Sequence, residues 1–439
     1  MPSALPIRRT PLDPWCARQL GVAVDELTRD RLERHQLARL RETTAWARER
    51  SPHYRARQGG AEPSSLADLP QLPFTTPAEL REHGPRMVCV SQDEISRVVT
   101  LCSSGTTGSP KRVYFSAAEQ ESIVDFFAAG MSTMVEPGER VVIFLPGSVP
   151  GSVGDLLATA LRRIGVAPVP HGPVRDVREA AQALRGDRPT SLVALPVHAL
   201  ALARWVDENA PGAIALKSAL LTADHVARSL TAGVERALSC TVFEHYGMTE
   251  MGLGGGVECE AHQGYHLREA DLLFEVVDPD SGASLPDGAE GEVVFTTLTR
   301  RAMPLLRYRT GDRARLLPGP CPCGSALRRL SRVCGRLGAV SVGGVTLPAL
   351  DELLFACSGV VDYTARVASD GPRSELHITA LTLGPAGVEV ARALAEVRDV
   401  LVQRATADVT PEITPEVTID IASLGGRVVS GPEKRTLAR

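Results

Sequence analysis

Short apolar segments alternate with segments of helical spacing through the middle of this 439-residue chain, and this alternation limits the possible fold more than any other feature. The apolar segments lie at Arg140–Pro146, Val166–Pro170, Ser191–Pro196 and Thr241–Gly247. Residues 153–163 and 197–208, between them, have apolar side chains at the spacing of amphipathic helices. Strands that alternate with helices form parallel sheets covered on both faces, and such sheets bind ligands at the carboxyl ends of their strands. We therefore predict an α/β fold with a ligand site after the last of these strands.

A loop of glycine and hydroxyl residues, SSGTTGSPK at 103–111, has the composition of a polyphosphate-binding loop. Gly105 and Gly108 allow a tight turn that brings backbone N–H groups close to an anion. Lys111 adds a point charge, and the hydroxyl donors are Ser103, Ser104, Thr106, Thr107 and Ser109. The spacing is not that of the NTPase P-loop, which has four residues between its glycines and Ser or Thr after its lysine. A flexible surface loop is the alternative interpretation.

The apolar runs Val98–Cys102 and Val113–Phe115 flank this loop. Short alternating runs on either side of a glycine-rich turn are typical of a β-hairpin. We therefore predict that the loop is the tip of a hairpin.

This loop resembles the phosphate-binding loop of the adenylate-forming superfamily, which includes acyl-CoA ligases, luciferases and nonribosomal-peptide adenylation domains. Three later motifs extend the resemblance in the family's order: HYGMTE at His245–Glu250, YRTGD at Tyr308–Asp312 and GR at Gly335–Arg336. The SPHYR, LPFTT and CPCG segments make the chain most similar to the phenylacetate-CoA ligase branch. The resemblance covers residues 51–336 and is weak after them.

The resemblance implies two domains. Residues 1–335 would form a large N-terminal adenylation domain of doubly wound sheets with a β-rich subdomain, which includes hairpins over Leu272–Thr297. Residues 336–439 would form a small, mobile α+β domain that closes over it. Helical spacing over Leu27–Arg50, and Thr75, Thr76 and Pro77 as a cap and first turn, predict two helices in the large domain.

The HYGMTE motif places an aromatic ring, a hydroxyl and a carboxylate on one turn that leaves a strand. Adenine, phosphate and magnesium require these three groups. The resemblance implies that Tyr246 stacks on adenine beside His245 and Gly247, that Thr249 contacts the α-phosphate, and that Glu250 holds Mg²⁺. The alternative is a core tyrosine followed by a capping threonine.

Asp312 ends the YRTGD motif, where a lone carboxylate could simply form a turn. The resemblance implies that Asp312 accepts hydrogen bonds from both ribose hydroxyls, which requires an ionised carboxylate. It also implies that Arg336 approaches the nucleotide. Residues 222–224 match the adenine-lining segment of the branch poorly.

Three cysteines and a histidine form a second candidate site, namely Cys259, His266, Cys321 and Cys323. Four such ligands suit a closed, tetrahedral zinc site with a structural role. The set is similar to the zinc sites of this ligase branch, with His262 as the rival nitrogen ligand. Buried, inert thiols are the alternative, and Cys102 and Cys334 lie outside the pattern.

Family position suggests that the acyl substrate is lined by Leu145–Val153, the segment around His198, and Gly252–Gly255. Small residues there would leave space, although glycines at a strand end are as often a tight turn. We interpret His198 and His245 as core or capping residues, because adenylation needs no general base: the substrate carboxylate is already ionised.

The C terminus departs from the family pattern. The branch has a catalytic lysine in a Gly-Lys-Ala-Lys-Arg-like run, whereas residues 431–435 read GPEKR, which aligns Pro432 with that lysine. Either Lys434 takes the role after a two-residue shift, or the catalytic lysine is absent. Absence of this lysine would slow adenylation more than it would weaken ATP binding. At the hinge, Leu337, Gly338 and Ala339 stand where the family has Asp or Lys, leaving glycine to absorb the rotation.

The motifs together predict an ATP-dependent ligase. ATP and an aryl or small aliphatic acid would form an acyl-adenylate and pyrophosphate, and coenzyme A would then displace AMP. Two alternatives remain: transfer to an amine or a carrier protein, and a non-catalytic protein that binds nucleotide or acyl-adenylate.

Charge and composition limit the partners and the compartment. The net charge of −4 and the pI of about 6.2 argue against nucleic acid, including zinc-dependent binding to it, and against anionic membrane. No signal peptide and no run of 18 apolar residues is present, so we expect a cytoplasmic enzyme with no membrane partner. Its nine cysteines would then be thiols or metal ligands rather than disulfides. A homodimer is compatible with the sequence.

Overall fold

The computed structural model describes residues 7–57, 62–101, 110–339, 341, 345–370, 373–407 and 416–425. They fall into two compact units, each built from several segments of the chain. The first unit comprises Met1–Thr133, Thr159–Ile164 and His245–Leu337, and the second comprises Met134–Ala158, Gly165–Glu244 and Gly338–Arg439. The division into a domain of residues 1–335 and a lid of residues 336–439 stays a prediction.

The helices of the described residues are α1 (Leu12–Leu20), α2 (Arg29–Arg50), α3 (Pro52–Arg57), α4 (Pro77–Met87), α5 (Ala117–Met131), α6 (Val153–Arg163), α7 (Val177–Asp187), α8 (Pro196–Asn209), α9 (Arg228–Leu238), α10 (Leu347–Ala356) and α11 (Val388–Ala407). The strands are β1 (Ile95–Leu101), β2 (Lys111–Ser116), β3 (Arg140–Phe144), β4 (Ala167–Pro170), β5 (Ser191–Ala194), β6 (Ser218–Leu221), β7 (Thr241–Tyr246), β8 (Gly256–Glu258), β9 (Tyr265–Leu267), β10 (Leu272–Val277), β11 (Gly291–Thr297), β12 (Tyr308–Ala314), β13 (Leu316–Leu317), β14 (Arg329–Leu330), β15 (Gly335–Arg336), β16 (Val360–Asp370), β17 (Arg373–Thr382) and β18 (Glu416–Ser423). None of the described helices is long and apolar enough to cross a membrane.

The second unit contains the predicted parallel sheet. Its strand order is β7, β6, β5, β3, β4, and all neighbouring pairs are parallel. Strands β5 and β6 are buried along their whole length, as expected for central strands covered on both faces. Helix α6 has the predicted bounds, residues 153–163. The α/β fold class predicted from the alternating segments is therefore confirmed.

A three-stranded sheet, in the order β16, β17, β18, also belongs to the second unit and shares its hydrophobic core with α8 and α9. Polar contacts join α10 to helices α8 and α9. Glu352 on α10 accepts hydrogen bonds from the backbone N–H groups of Arg228 and Ser229, so it caps α9, which has no cap from its own N-cap side chain. Arg204 on α8 donates to the carbonyls of Phe355 and Cys357 at the end of α10.

The first unit is built on antiparallel sheets. Strands β10, β11, β12 and β15 form one sheet, in which β10 and β11 are the hairpin predicted between Leu272 and Thr297. Strands β1 and β2 form the predicted hairpin around the glycine-rich loop. The end of β7 pairs with β8, and the order continues through β9, β14 and β13.

Both helices predicted in the first unit are confirmed. Helix α2 begins after Thr28, whose side chain accepts a hydrogen bond from the Arg31 N–H. Helix α4 begins after Thr76, which forms a capping box with Glu79 ahead of Pro77. A β-bridge joins Thr75 to Tyr308, so the start of α4 is held beside the YRTGD strand.

Candidate nucleotide site and metal cluster

Part of the predicted phosphate loop and the C-terminal lysine lie outside the described residues. These are Ser103, Ser104, Gly105, Thr106, Thr107, Gly108, Ser109, Pro432 and Lys434. Lys111, His245, Tyr246, Gly247, Thr249, Glu250, Asp312 and Arg336 are described, and all of them belong to the first unit.

Lys111 and Glu250 form an ion pair at the centre of this group. Lys111 begins β2, and Glu250 lies in the 3₁₀ turn Thr249–Met251 that follows β7. The Lys111 Nζ atom is 2.5 Å from Glu250 Oε1, and the Tyr308 hydroxyl donates to the same oxygen at 3.1 Å. Burial alone would raise the pKa of the Glu250 carboxyl, but the charge and hydrogen bond of Lys111 outweigh it and the pKa lies below its ordinary value. Glu250 is therefore an ionised, buried carboxylate.

Tyr246, Asp312 and Arg336 form a second group. The Tyr246 hydroxyl donates to Asp312 Oδ2 at 3.1 Å, and Arg336 Nε lies 3.1 Å from Asp312 Oδ1. Asp312 and Arg336 face each other because β12 and β15 pair in that register. Burial raises the pKa of Tyr246, and the nearby Asp312 carboxylate raises it further, so the tyrosine stays a hydrogen-bond donor. The Tyr246 hydroxyl and the Asp312 carboxylate are thus in direct contact.

Tyr308 is a site residue to which the sequence argument gave no role. Its hydroxyl contacts Glu250, and it lies four residues before Asp312 on the same strand. Alternate residues of a strand face the same side. The YRTGD motif therefore contained the information that places Tyr308 in the site, since Tyr308 and Asp312 face the same side of β12.

The turn between Tyr246 and Gly256 is tightly packed. A Cβ atom at Gly247 would lie 2.2 Å from the Leu253 carbonyl oxygen, and one at Gly254 would lie 2.3 Å from the Phe126 ring. Met251 fills the space beside Gly255 in the same way. The glycines at 254 and 255 therefore allow close packing, which agrees with the tight turn that the sequence left open as the alternative. Thr249 begins the turn and is partly exposed.

The segments assigned to the acyl pocket fall into both units of the chain. Gly252–Gly255 belongs to the first unit, and Leu145–Val153 and His198 belong to the second. His198 is fully buried in α8, and Ala223 in the segment 222–224 has a positive φ of 74°. The acyl pocket stays a prediction.

His245 is expected to remain neutral over the physiological pH range. Burial lowers the pKa of its imidazole to about 4, from an ordinary value of 6.5. Because the unfolded chain binds this proton at higher pH than the folded chain does, folding stability should fall as pH decreases from about 6.5 to about 4. Unfolding by urea at pH 7.5, 6 and 4.5 measures this, and His245→Gln should reduce the loss between the first and last pH. An unchanged pH dependence in the variant would contradict a neutral, half-buried His245.

The four predicted metal ligands lie together. The ligand atoms of Cys259, His266, Cys321 and Cys323 are all within 4.8 Å of one another, and all four residues are buried. The Cys259 and Cys321 sulfur atoms are 3.7 Å apart, and Cys323 Sγ is 3.3 Å from His266 Nε2. Ligands about 2.3 Å from a tetrahedral zinc ion lie about 3.7 Å apart, so the cluster fits zinc.

Strand pairing explains why these ligands meet. His266 lies on β9 and pairs with Arg329 on β14, which brings the preceding CPCG turn next to the β8–β9 hairpin. Cys259 is the first residue after β8. His262, the rival ligand, is not part of the cluster, and its Nδ1 lies 3.3 Å from Glu258 Oε2. The hydrogen bond with Cys259 and the neighbouring His266 both lower the pKa of the Cys323 thiol. A lower pKa favours the thiolate, which is the form that binds metal.

Comparison with known proteins places these motifs in a family context. Residues 29–298 match the family described as AMP-binding enzyme. A phenylacetate-coenzyme A ligase of Thermus thermophilus is 33% identical over 372 residues, which cover 81% of this chain and 82% of that protein. A phenylacetate-coenzyme A ligase of Escherichia coli is 30% identical over 343 residues, or 75% of each chain. Among solved structures, 2-hydroxyisobutyryl-CoA ligase in its postadenylation state aligns with a TM-score of 0.77 at 21% identity, covering 92% of this chain and 88% of the other.

Proposed function

Because the chain belongs to the AMP-binding enzyme family, on its phenylacetate-coenzyme A ligase-like branch, we propose that it is an AMP-forming acid–thiol ligase. It would activate a carboxylic acid with ATP and transfer the acyl group to coenzyme A. The observation that carries this proposal is the presence of two ion pairs in the first unit, Lys111 with Glu250 and Asp312 with Arg336.

Each described side chain of the site suits one part of ATP. The Tyr246 ring would contact adenine, and the Asp312 carboxylate would accept hydrogen bonds from the ribose hydroxyls. Thr249 begins the turn that bears Glu250, so its hydroxyl would donate to the α-phosphate. Lys111, now paired with Glu250, would donate to the phosphates.

Glu250 is the residue that would hold Mg²⁺. Its fit rests on chemistry, since a buried, ionised carboxylate is the hard oxygen ligand this ion takes together with substrate phosphates. Mg²⁺ would supply positive charge that offsets the charge of the triphosphate. The Glu250 carboxylate would hold this ion beside the phosphates, and Lys111 would face them as a second cation.

The reaction would proceed in two displacements. A carboxylate oxygen of the acid attacks the α-phosphorus and pyrophosphate leaves, which gives an acyl-adenylate. The sulfur of coenzyme A then attacks the acyl carbon, AMP leaves and a thioester forms. Splitting the reaction in this way turns an inert carboxylate into a reactive acyl donor. The use of coenzyme A fits a cytoplasmic location, which stays a prediction.

We further propose that the cluster of Cys259, His266, Cys321 and Cys323 holds a structural zinc ion. The support is geometric: four buried ligand atoms of the preferred types lie within 4.8 Å of one another. These four ligands would complete a tetrahedral coordination, so the ion would have a structural role. Its role would be to join the β8–β9 hairpin to the CPCG turn.

The ligase proposal is tested by incubating the protein with ATP, Mg²⁺ and a panel of aryl and aliphatic acids, with and without coenzyme A. We expect at least one acid to drive formation of AMP and pyrophosphate, and coenzyme A to raise the rate of AMP release. Release that requires an amine or a phosphopantetheine carrier instead would identify a different acceptor. ATP binding without turnover of any acid would replace the ligase by a nucleotide-binding protein.

The role of Lys434 can be tested in the same assay, because the chain contains only three lysines. We expect Lys434→Ala to lower acid-dependent AMP formation about 10²- to 10³-fold, the effect of removing one preorganised donor from a reacting oxygen. ATP affinity should change much less. Lys217→Ala is the matched control, since Lys217 pairs with Glu136 and Glu139 and belongs to none of these motifs. Equal rates for the two variants would show that Lys434 does not take the family role.

A further inference from the structure

Arg300 is a buried arginine that joins the turn bearing Glu250 to the strand bearing Lys111. It lies between β11 and β12 and is 6% exposed. One terminal nitrogen donates to the backbone carbonyl of Glu250 at 2.7 Å, and the other donates to the carbonyl of Tyr114 at 3.0 Å. Tyr114 is on β2, three residues after Lys111. The guanidinium therefore fixes the two backbone segments against each other.

The segment that bears Arg300 is itself held from another side. Glu119, which is 8% exposed, accepts hydrogen bonds from the backbone N–H groups of Arg301 and Ala302 at 2.7 and 2.8 Å. Glu119 lies in the first turn of α5, the helix that follows β2 directly. Arg300 also covers the Phe115 ring, with its central carbon 4.5 Å from the ring centroid. The guanidinium thus has one defined position.

Burial of the Arg300 guanidinium costs free energy of folding, which indicates that this residue has a specific function. Burial lowers the pKa of Arg300, and the nearby carboxylates of Glu119 and Glu250 only partly offset it. The Arg300 Nε atom is also buried without a hydrogen-bond partner among the described residues. A buried charge with an unsatisfied donor is usually worse for stability than an apolar side chain of similar volume.

We infer that Arg300 is a positioning residue: it sets the separation of the Glu250 carboxylate and the Lys111 ammonium so that both face the same metal–triphosphate substrate. This inference rests on the proposed function. Arg300 touches neither reacting group; it acts through the carbonyl of Glu250 and the strand of Lys111. Outer residues that orient a metal ligand typically change metal affinity 10- to 100-fold when they are replaced.

The test is equilibrium binding of a non-hydrolysable ATP analogue, titrated with Mg²⁺ by calorimetry. Arg300→Met should weaken the apparent Mg²⁺ affinity 10- to 100-fold, and Arg300→Lys, which can still donate to one carbonyl, should recover part of it. The lysine variant also keeps the experiment informative if the methionine variant does not fold. In turnover assays, the Mg²⁺ concentration that gives half-maximal rate should shift in the same order.

Arg204→Met is the matched control. Arg204 is also 6% exposed and donates to two backbone carbonyls, and its buried Nε has no hydrogen-bond partner within the described part of the chain. It lies in the second unit. It should change stability in the same direction as Arg300→Met and keep the wild-type Mg²⁺ affinity. Equal Mg²⁺ affinities for wild type and both methionine variants would overturn the positioning role. Absence of metal-dependent nucleotide binding by the wild type would overturn the proposed function and this inference with it.

Discussion

Replacing Glu250 by glutamine should lower acid-dependent AMP formation about a thousandfold, with the protein still folded. Glutamine keeps the size of the side chain and can accept the hydrogen bond that Tyr308 donates. It removes the negative charge that would hold Mg²⁺ on the triphosphate, and charge stabilisation by such an ion contributes several kcal/mol to the transition state. Lys111 loses its partner but remains partly exposed, so solvent can take the place of the carboxylate. The loss should therefore fall on catalysis more than on folding.

The measurement is the rate of AMP formation as a function of Mg²⁺ concentration, at saturating ATP and acid. Glu275→Gln is the matched control, because Glu275 is a similarly buried carboxylate of the first unit that pairs with Arg307. We expect Glu275→Gln to reduce stability and to leave the Mg²⁺ dependence unchanged. A Glu250→Gln enzyme with the wild-type Mg²⁺ dependence would show that another residue holds the metal.

The effect of Glu250→Gln on the free energy of unfolding should also depend on pH. The folded-state pKa of Glu250 lies below the ordinary 4.5, so its ionised form stabilises the folded state above that pH and the contribution is lost as pH falls through the folded pKa. The difference in free energy of unfolding between wild type and Glu250→Gln should therefore be largest near neutral pH and shrink in acid. This separates the charge of Glu250 from its packing, which glutamine preserves.

Local patterns were sufficient to predict much of the fold. The apolar spacing of residues 153–163 gave α6 with its observed bounds, because apolar side chains at that spacing share one face of a helix. The capping box of Thr76 and Glu79 gave the start of α4, and the residues at 272–297 gave the β10–β11 hairpin. These features depend on contacts between residues that are near one another in the chain.

The features that escaped sequence analysis depend on residues far apart in the chain. The contact of Tyr308 with Glu250 needs the register of β12, and the contacts of Arg300 need three separate segments to meet. Nothing near Arg300 in the chain distinguishes it from the exposed Arg301 that follows it. The metal ligands were found because cysteine and histidine are few and carry specific chemistry, whereas an arginine is common on any surface.

Removal of the metal cluster should destabilise the first unit strongly without altering the chemistry of the nucleotide site. The purified protein should contain about one zinc ion per chain, and Cys323→Ser should contain little. Loss of a cross-link between segments this far apart in sequence costs about 3–5 kcal/mol by analogy with a native disulfide, which lowers the midpoint of thermal unfolding by on the order of 10 °C. Cys89→Ser is the matched control, since Cys89 is 5% exposed, as Cys323 is, and lies outside the cluster. It should keep the zinc and most of the stability.

The temperature dependence of activity decides whether this metal is structural. Well below its lowered midpoint of unfolding, Cys323→Ser should still form AMP at close to the wild-type rate, because the cluster shares no residue with the pairs Lys111–Glu250 and Asp312–Arg336. Activity lost at every temperature by a zinc-free but folded variant would assign the metal a part in the reaction. A wild-type protein that contains no metal and whose unfolding is unaffected by chelators would instead mean that the four ligands are inert buried groups.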